Sequence, residues 1–141
     1  MMEPRRRPVF DELQKHHIGI VIEPQSVSEL EHSLGKSFHL DETQETRICF
    51  NWNALMDLYV EHVVREGRAA RYEAGFHHVC YHVPSMERMD ELHALIRKEK
   101  MGFRLTFPER SGSEECGMIT FYQIHNQGIV EFNIDIPVEK Q

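Results

Sequence analysis

The stretch His16-His17-Ile18-Gly19-Ile20-Val21-Ile22 has a counterpart in the second half of the chain, His77-His78-Val79-Cys80-Tyr81-His82-Val83. In each a histidine pair leads into an apolar run, and a proline follows shortly, Pro24 or Pro84. Each therefore reads as a strand that stops at a turn. A chain that contains itself twice has its architecture set by the repeat, so the repeat is followed outward before any motif is weighed.

After the first proline, Ser26 and Glu29 have the spacing of a capping box, and Val27, Leu30 and Leu34 fall on one helical face before Gly35. After the second, Ser85 stands as N-cap of a longer helix striped by Met86, Met89, Leu92, Leu95 and Ile96 and closed before Gly102. The methionines read as core. Apolar or alternating runs follow at 47–52 and 118–124, then at 55–60 and 129–134, each pair at the same place in its half. The expected fold is α+β, with two repeated βαβββ modules forming a cupped, mainly antiparallel sheet. Module one covers residues 16–60 and module two 76–135 of a single domain, 1–141, and the 61–75 linker carries a helical turn at 61–65.

Composition narrows the function. At 141 residues the chain suits one domain, and 40% hydrophobic with 28% charged residues is ordinary globular usage. A net charge of −7 repels polyphosphate backbones, which argues against nucleic acid as a partner. Arg65, Arg68 and Arg71 read as a solvated helix face. Cys49, Cys80 and Cys116 are odd in number and show no C-x-x-C pair, so neither a disulfide framework nor a thiolate zinc site is expected. Arg5, Arg6 and Arg7 are not followed by an apolar run, so the expectation is a cytoplasmic protein without a secretory signal or membrane span.

Ten histidines are many, but His32, His39, His62 and His93 fall on helices or near turns, where a solvated or hydrogen-bonded imidazole is ordinary. His17 and His78 differ, because they hold the same position in the two halves and can face each other across a pseudo-two-fold axis. Met56-Asp57-Leu58 matches Val130-Glu131-Phe132, an acid between apolar neighbours in the last strand of each half. Strand alternation turns each acid away from the core that its neighbours join. Two imidazoles and one or two carboxylates suit zinc, nickel, cobalt, iron or manganese and leave positions open for substrate. The expected donors are His17 and His78 with one or both of the acids Asp57 and Glu131.

The motifs "HHIGI", "GFHHVCY" and "GIVEFNI" resemble the vicinal oxygen chelate superfamily, which includes glyoxalase I, methylmalonyl-CoA epimerase and extradiol dioxygenases, over roughly residues 16–134. Gly75-Phe76-His77-His78-Val79-Cys80 is most similar to the epimerases, as is Gly102-Phe103-Arg104-Leu105 with the glycine-containing loop from Ser111 to Gly117. The resemblance implies a divalent metal ion on His17, His78 and Glu131, with the variable fourth ligand at Asp57. It also implies a homodimer and a small-molecule substrate such as a CoA thioester. The implied activity is an isomerase that stabilises an enolate, with Glu131 moving the proton. Two features depart from the pattern: 123–127 replaces an "HP-K" turn, and the apolar Ile48 stands where one bacterial pattern has an acid. Glu42, Glu45 and His125 are the candidates for a second base. The alternatives are a glyoxalase-type lyase, an Fe(II) dioxygenase using His17, His78 and Glu131, and a non-catalytic binding protein of the same fold.

Overall fold

The computed structural model describes residues 13–113 and 116–135, so Arg5, Arg6 and Arg7 lie outside the described residues. Strand β1 (Lys15–Ile22) buries every second position, His17, Gly19 and Val21, all on the face that carries the histidine donors. It pairs antiparallel with β5 (Gly75–Val83), the two histidine-led runs meeting with Ile18 opposite Val79. This pair lies at the middle of one mixed nine-stranded sheet that does not close into a barrel.

Each half then repeats the same order. Module one runs β1, α1 (Val27–Leu34), β2 (His39–Asp41), β3 (Thr46–Asn53) and β4 (Leu58–Val64). Module two runs β5, α2 (Met86–Lys98), β6 (Gly102–Arg104), β7 (Glu109–Arg110), β8 (Met118–Ile124) and β9 (Gly128–Ile134), so β7 is an addition to the repeat. In both halves the first strand is parallel to the last, β1 to β4 and β5 to β9, while every other pairing is antiparallel. The α+β class and the doubled module expected from the sequence are present.

The main core lies on the face away from the histidine donors. There α2 buries Met89, Leu92 and Ile96 against Tyr81, Val83, Tyr122, Ile124, Val130, Phe132 and Ile134. Full burial of a side chain such as Leu92 stabilises the fold by roughly 1.5–3 kcal/mol. Ser85 caps α2 by accepting a hydrogen bond from the Arg88 amide. The box expected at Ser26 does not form. A 3-10 turn, Pro24–Ser26, leads straight into α1, so Ser26 has helical φ and ψ (−87°, −9°) and its hydroxyl caps nothing. Gly35, at φ 66°, ends α1 as expected.

One boundary moves by enough to matter. The last strand of module one is Leu58–Val64, not 55–60, so residues 61–64 are strand and the helical turn of the connection is a 3-10 turn at Gly67–Arg71. The reason is the β3–β4 hairpin: Asn53 Oδ1 accepts the Met56 amide and Asp57 adopts a left-handed φ of 55°, so 54–57 are turn residues. No helix among the described residues is long and apolar enough to cross a membrane.

Candidate metal centre

Pairing across the sheet puts two rows of side chains on one face. One row is Tyr59, His17, Cys80, Glu131 and Phe121; the other is Glu61, Gly19, His78, Ile129 and Gln123. The local two-fold at Ile18/Val79 exchanges His17 with His78 and Glu61 with Glu131. The imidazoles stand on the two inner strands. The carboxylates come from the outer strands β4 and β9, and each glutamate has the length to reach over one strand spacing of about 4.8 Å.

The four side chains meet. His17 Nε2 and His78 Nε2 approach to 3.1 Å, and both lie 3.0 Å from Glu131 Oε1. Glu61 Oε1 is 3.4 Å from His17 Nε2 and 3.5 Å from His78 Nε2. The residues are nearly inaccessible: His17 is 1% exposed, His78 2%, and Glu61 and Glu131 3% each. Glu131 Oε1 nevertheless has no hydrogen bond of acceptable geometry. Four donor atoms converging without a satisfying hydrogen-bond pattern fit a cation. Metal–donor bonds of ~2.1 Å place neighbouring donors about 3.0 Å apart at right angles and about 3.4 Å apart at the tetrahedral angle, which is the spacing seen here. Two neutral imidazoles, two carboxylates and a divalent ion also sum to zero charge, which a buried site favours.

The electrostatics of the metal-free group run the same way. Burial disfavours charge on each member, but mutual attraction wins. At Glu61 and Glu131 burial is overcome by the His17 and His78 imidazoles, which hold both carboxyls below the ordinary range. Burial also acts against charge at His78, where Glu131 and then Glu61 raise the imidazole above 6.5. At His17 burial is likewise outweighed, and the pKa rises well above 6.5; Cys80 and Glu131 oppose the burial. Because burial and the Glu131 carboxylate push the Cys80 thiol up to about 12, that thiol is neutral and the carboxylates carry the attraction.

Both donor histidines are braced in the same manner. His16 Nδ1 lies 2.7 Å from His17 Nδ1, and His77 Nδ1 lies 2.8 Å from His78 Nδ1. An imidazole that presents Nε2 as a lone pair carries its proton on Nδ1, so each neighbour accepts there. Phe50 packs edge-on to His17 and Phe121 edge-on to His78, at centroid distances of 5.1 and 5.7 Å, from positions opposite Glu61 and Glu131. The two-fold breaks at Gly19 and Cys80. A Cβ on Gly19 would collide with the His78 ring, so this position takes only glycine, whereas Cys80 holds the equivalent place beside His17.

The structure brings together His17, His78 and Glu131, and with them Glu61, which the sequence reading passed over. Asp57 is not in the group. It lies in the hairpin turn, beside Gln14, Lys15, His16, Trp52, Tyr59 and His82 in a small surface cleft. The signal for Glu61 was available: Val60-Glu61 in Leu58–Val64 mirrors Val130-Glu131 in Gly128–Ile134, the acid being the fourth residue of each strand. Of the candidate second bases, Glu45 pairs with Arg68 at 3.5 Å, and Glu42 and His125 are exposed; none joins the donor group.

Beside the donors lies a cavity of about 510 Å³, lined among others by Arg68, Arg71, Tyr72, His77, Phe121 and Ile129. His77 and Phe121 are shared between the cavity wall and the packing around His78. Arg71 donates to Tyr72 Oη, whose ring lies 4.1 Å from His77. Of the three arginines expected as a solvated helix face, Arg68 and Arg71 thus line a cavity from the 3-10 turn, whereas Arg65 precedes the turn and lies 3.6 Å from Glu23.

No protein-family model and no curated protein matches the chain. Solved structures do. The chain shares its fold with solved methylmalonyl-CoA epimerases, the fold that its motifs suggested. The similar structures include methylmalonyl-CoA epimerase from Mycobacterium tuberculosis, at TM-score 0.64 and 13% identity over 88% of this chain and 89% of that one. A Streptomyces coelicolor methylmalonyl-CoA epimerase in complex with 2-nitronate-propionyl-CoA matches at TM-score 0.61 and 20% identity, covering 92% of this chain and 100% of that one. A methylmalonyl-CoA epimerase in complex with methylmalonyl-CoA and NH4+ matches at TM-score 0.61 and 21% identity, over 92% and 99%.

Proposed function

We propose that the chain is a metal-dependent isomerase of the methylmalonyl-CoA epimerase kind, acting on an acyl-CoA or similar substrate with two oxygens placed to chelate. The observation that carries this reading is the buried His17, Glu61, His78 and Glu131 group in an epimerase fold. These four residues would hold one divalent ion. A bound ion of this kind acts as a Lewis acid towards substrate oxygens and favours the enolate. What the chain itself adds is proton transfer. Epimerisation needs a base on each face of the carbon, and Glu131 and Glu61 approach from opposite sides of the two-fold. Glu131 would take the proton from one face and keep it, while Glu61, having first taken up a proton of its own from solvent, would give that different proton to the other face; the two carboxyls exchange roles in the reverse direction. Phe50, Phe121 and the near-complete burial of the donors keep water from quenching the intermediate.

The same reading takes the protein as a cytoplasmic homodimer, and Trp52 and Leu55 offer exposed apolar surface for a second copy. One observation favours a second reading, a glyoxalase-type lyase: the fourth donor is a full carboxylate, Glu61, which suits enolate chemistry on a thiol adduct.

Incubation of metal-loaded protein with one enantiomer of methylmalonyl-CoA in deuterated water tests the epimerase directly. The wild type should exchange the α-proton and invert the centre. Glu131→Gln should abolish exchange from the face it serves, and Glu61→Gln should leave exchange without inversion for one enantiomer. Absence of exchange in metal-loaded wild type, with turnover of a glutathione hemithioacetal instead, would transfer the assignment to the lyase.

A further inference from the structure

Each histidine pair sits on a β-bulge. Between the pairings Lys15 with Tyr81 and His17 with Cys80, strand β1 carries one extra residue, His16; between Gly19 with His78 and Ile20 with Phe76, strand β5 carries one, His77. Regular alternation would send adjacent side chains to opposite faces, whereas a bulge re-aims one of them. His77 thereby lies beside His78, their Nδ1 atoms 2.8 Å apart, as His16 lies beside His17.

The two bulges are alike, but their surroundings differ. His16 packs near Phe50 and Tyr59 and lines a small surface cleft. His77 stands in the wall of the cavity of about 510 Å³ beside the donors, with Tyr72, Phe121 and Ile129. The brace is common to both halves; the place beside the large cavity belongs to His77.

Hydrogen bonding fixes where the His77 proton is. With Nε2 of His78 turned to the donor group, the proton between the two Nδ1 atoms belongs to His78, and His77 accepts it. An imidazole that accepts at one nitrogen carries its own proton on the other, so His77 presents Nε2–H. That nitrogen is buried and meets no hydrogen-bond partner. A buried donor left unmet is costly and rare, and calls for a group that meets it. The half-buried Tyr72 ring lies 4.1 Å from the His77 ring at a tilt of 55°, and an occupant of the cavity that shifts this ring reaches Nε2.

Proton transfer by the two glutamates leaves one need unfilled. As an α-proton leaves, negative charge gathers on a substrate oxygen, and a fixed donor in a wall closed to water stabilises that charge where it develops. We propose that His77 is a catalytic residue of this centre, its Nε2–H donating to the substrate oxygen that becomes anionic, an inference that rests on the enolising reading of the site. His77 keeps its proton throughout, so Glu131 and Glu61 remain the groups that move protons.

The test uses metal-loaded full-length protein and the variants His77→Asn and His16→Asn. An asparagine oxygen stands near the place of Nδ1, so each variant keeps an acceptor for the neighbouring imidazole but has no donor at the place of Nε2. Circular dichroism and metal content establish fold and loading, and zinc affinity should be similar in the two variants. In exchange with methylmalonyl-CoA, kcat of His77→Asn should fall roughly 100-fold below that of His16→Asn, and His77→Gln, which returns an N–H near the place of Nε2, should recover part of it. Oxalate, a planar dianion that chelates the loaded ion whatever the reaction, should bind His77→Asn roughly tenfold more weakly than His16→Asn, as loss of a hydrogen bond to a charged group implies. Nitrogen-resolved NMR of the zinc-loaded wild type should show His77 protonated at Nε2, with that proton moving downfield when oxalate binds. Equal kcat and equal oxalate affinity in the two asparagine variants overturn the inference, as does a His77 protonated at Nδ1. If the wild type exchanges no thioester while His77→Asn still loses oxalate, the epimerase reading falls and His77 stands as the donor to a chelating oxyanion.

Discussion

Gly19 shows how tightly the centre is built, because the His78 ring occupies the space where any side chain would begin. Gly19→Ala should push His78 out of line and weaken divalent-ion binding roughly 10–100-fold, the range seen when groups that orient metal ligands are altered. Titration of metal-free variant and wild type with zinc checks this, and equal affinity would mean that the ring can shift without loss. Protons give a second prediction. In the metal-free chain the neighbouring carboxylates raise His17 and His78 above the ordinary imidazole value and so favour their protonated forms, whereas ligation requires them neutral. Metal uptake at pH 7 should therefore release protons, and affinity should climb as pH rises from 6.5 through the raised values. Calorimetry in buffers of different ionisation enthalpy reads the number released; none released would contradict the assigned electrostatics. At this scale the convergence of His17, His78 and Glu131 was legible from repeat equivalence, whereas Glu61, the repeat equivalent of Glu131, was hidden by a misplaced strand boundary. Asp57 sits between apolar residues and mimics a strand, while Glu61 and His62 interrupt the apolar pattern of the true strand with two polar side chains, one turned to each face.

At the scale of elements, local patterning located what local physics controls. The α2 stripe was readable because Met89, Leu92 and Ile96 recur with the helical period and Ser85 has an extended backbone that frees its hydroxyl to cap. Ser26 carried the same chemical signature but follows Pro24 in a 3-10 turn, and the helical backbone there removes the cap. Ser85→Ala should thus destabilise the protein by about 1 kcal/mol, while Ser26→Ala should have almost no effect. Denaturant titration of both variants separates them. Comparable losses would show that α1 is capped in solution after all. The β3–β4 boundary was missed because a turn built by Asn53 and a left-handed Asp57 needs neither glycine nor proline to announce it.

For the molecule as a whole, duplication explains the chemistry. One module supplies a histidine and a glutamate; two modules about a local two-fold bring four such side chains together. The helices differ in length and β7 has no counterpart, so the two modules are not identical copies. The repeat itself was visible in the order of histidines, prolines and apolar runs. The pairing of β1 with β5, which brings the halves together, depends on contacts between residues far apart in the chain, and no local pattern encodes it.

The most direct test counts divalent ions per chain after reconstitution of metal-free protein, with wild type, Glu61→Ala and Asp57→Ala measured side by side by elemental analysis. The structure predicts close to one ion per chain in the wild type and in Asp57→Ala, and well below one in Glu61→Ala with the fold retained. A wild type that takes up no ion, or a Glu61→Ala protein that stays fully loaded while Asp57→Ala is depleted, would contradict the four-donor centre.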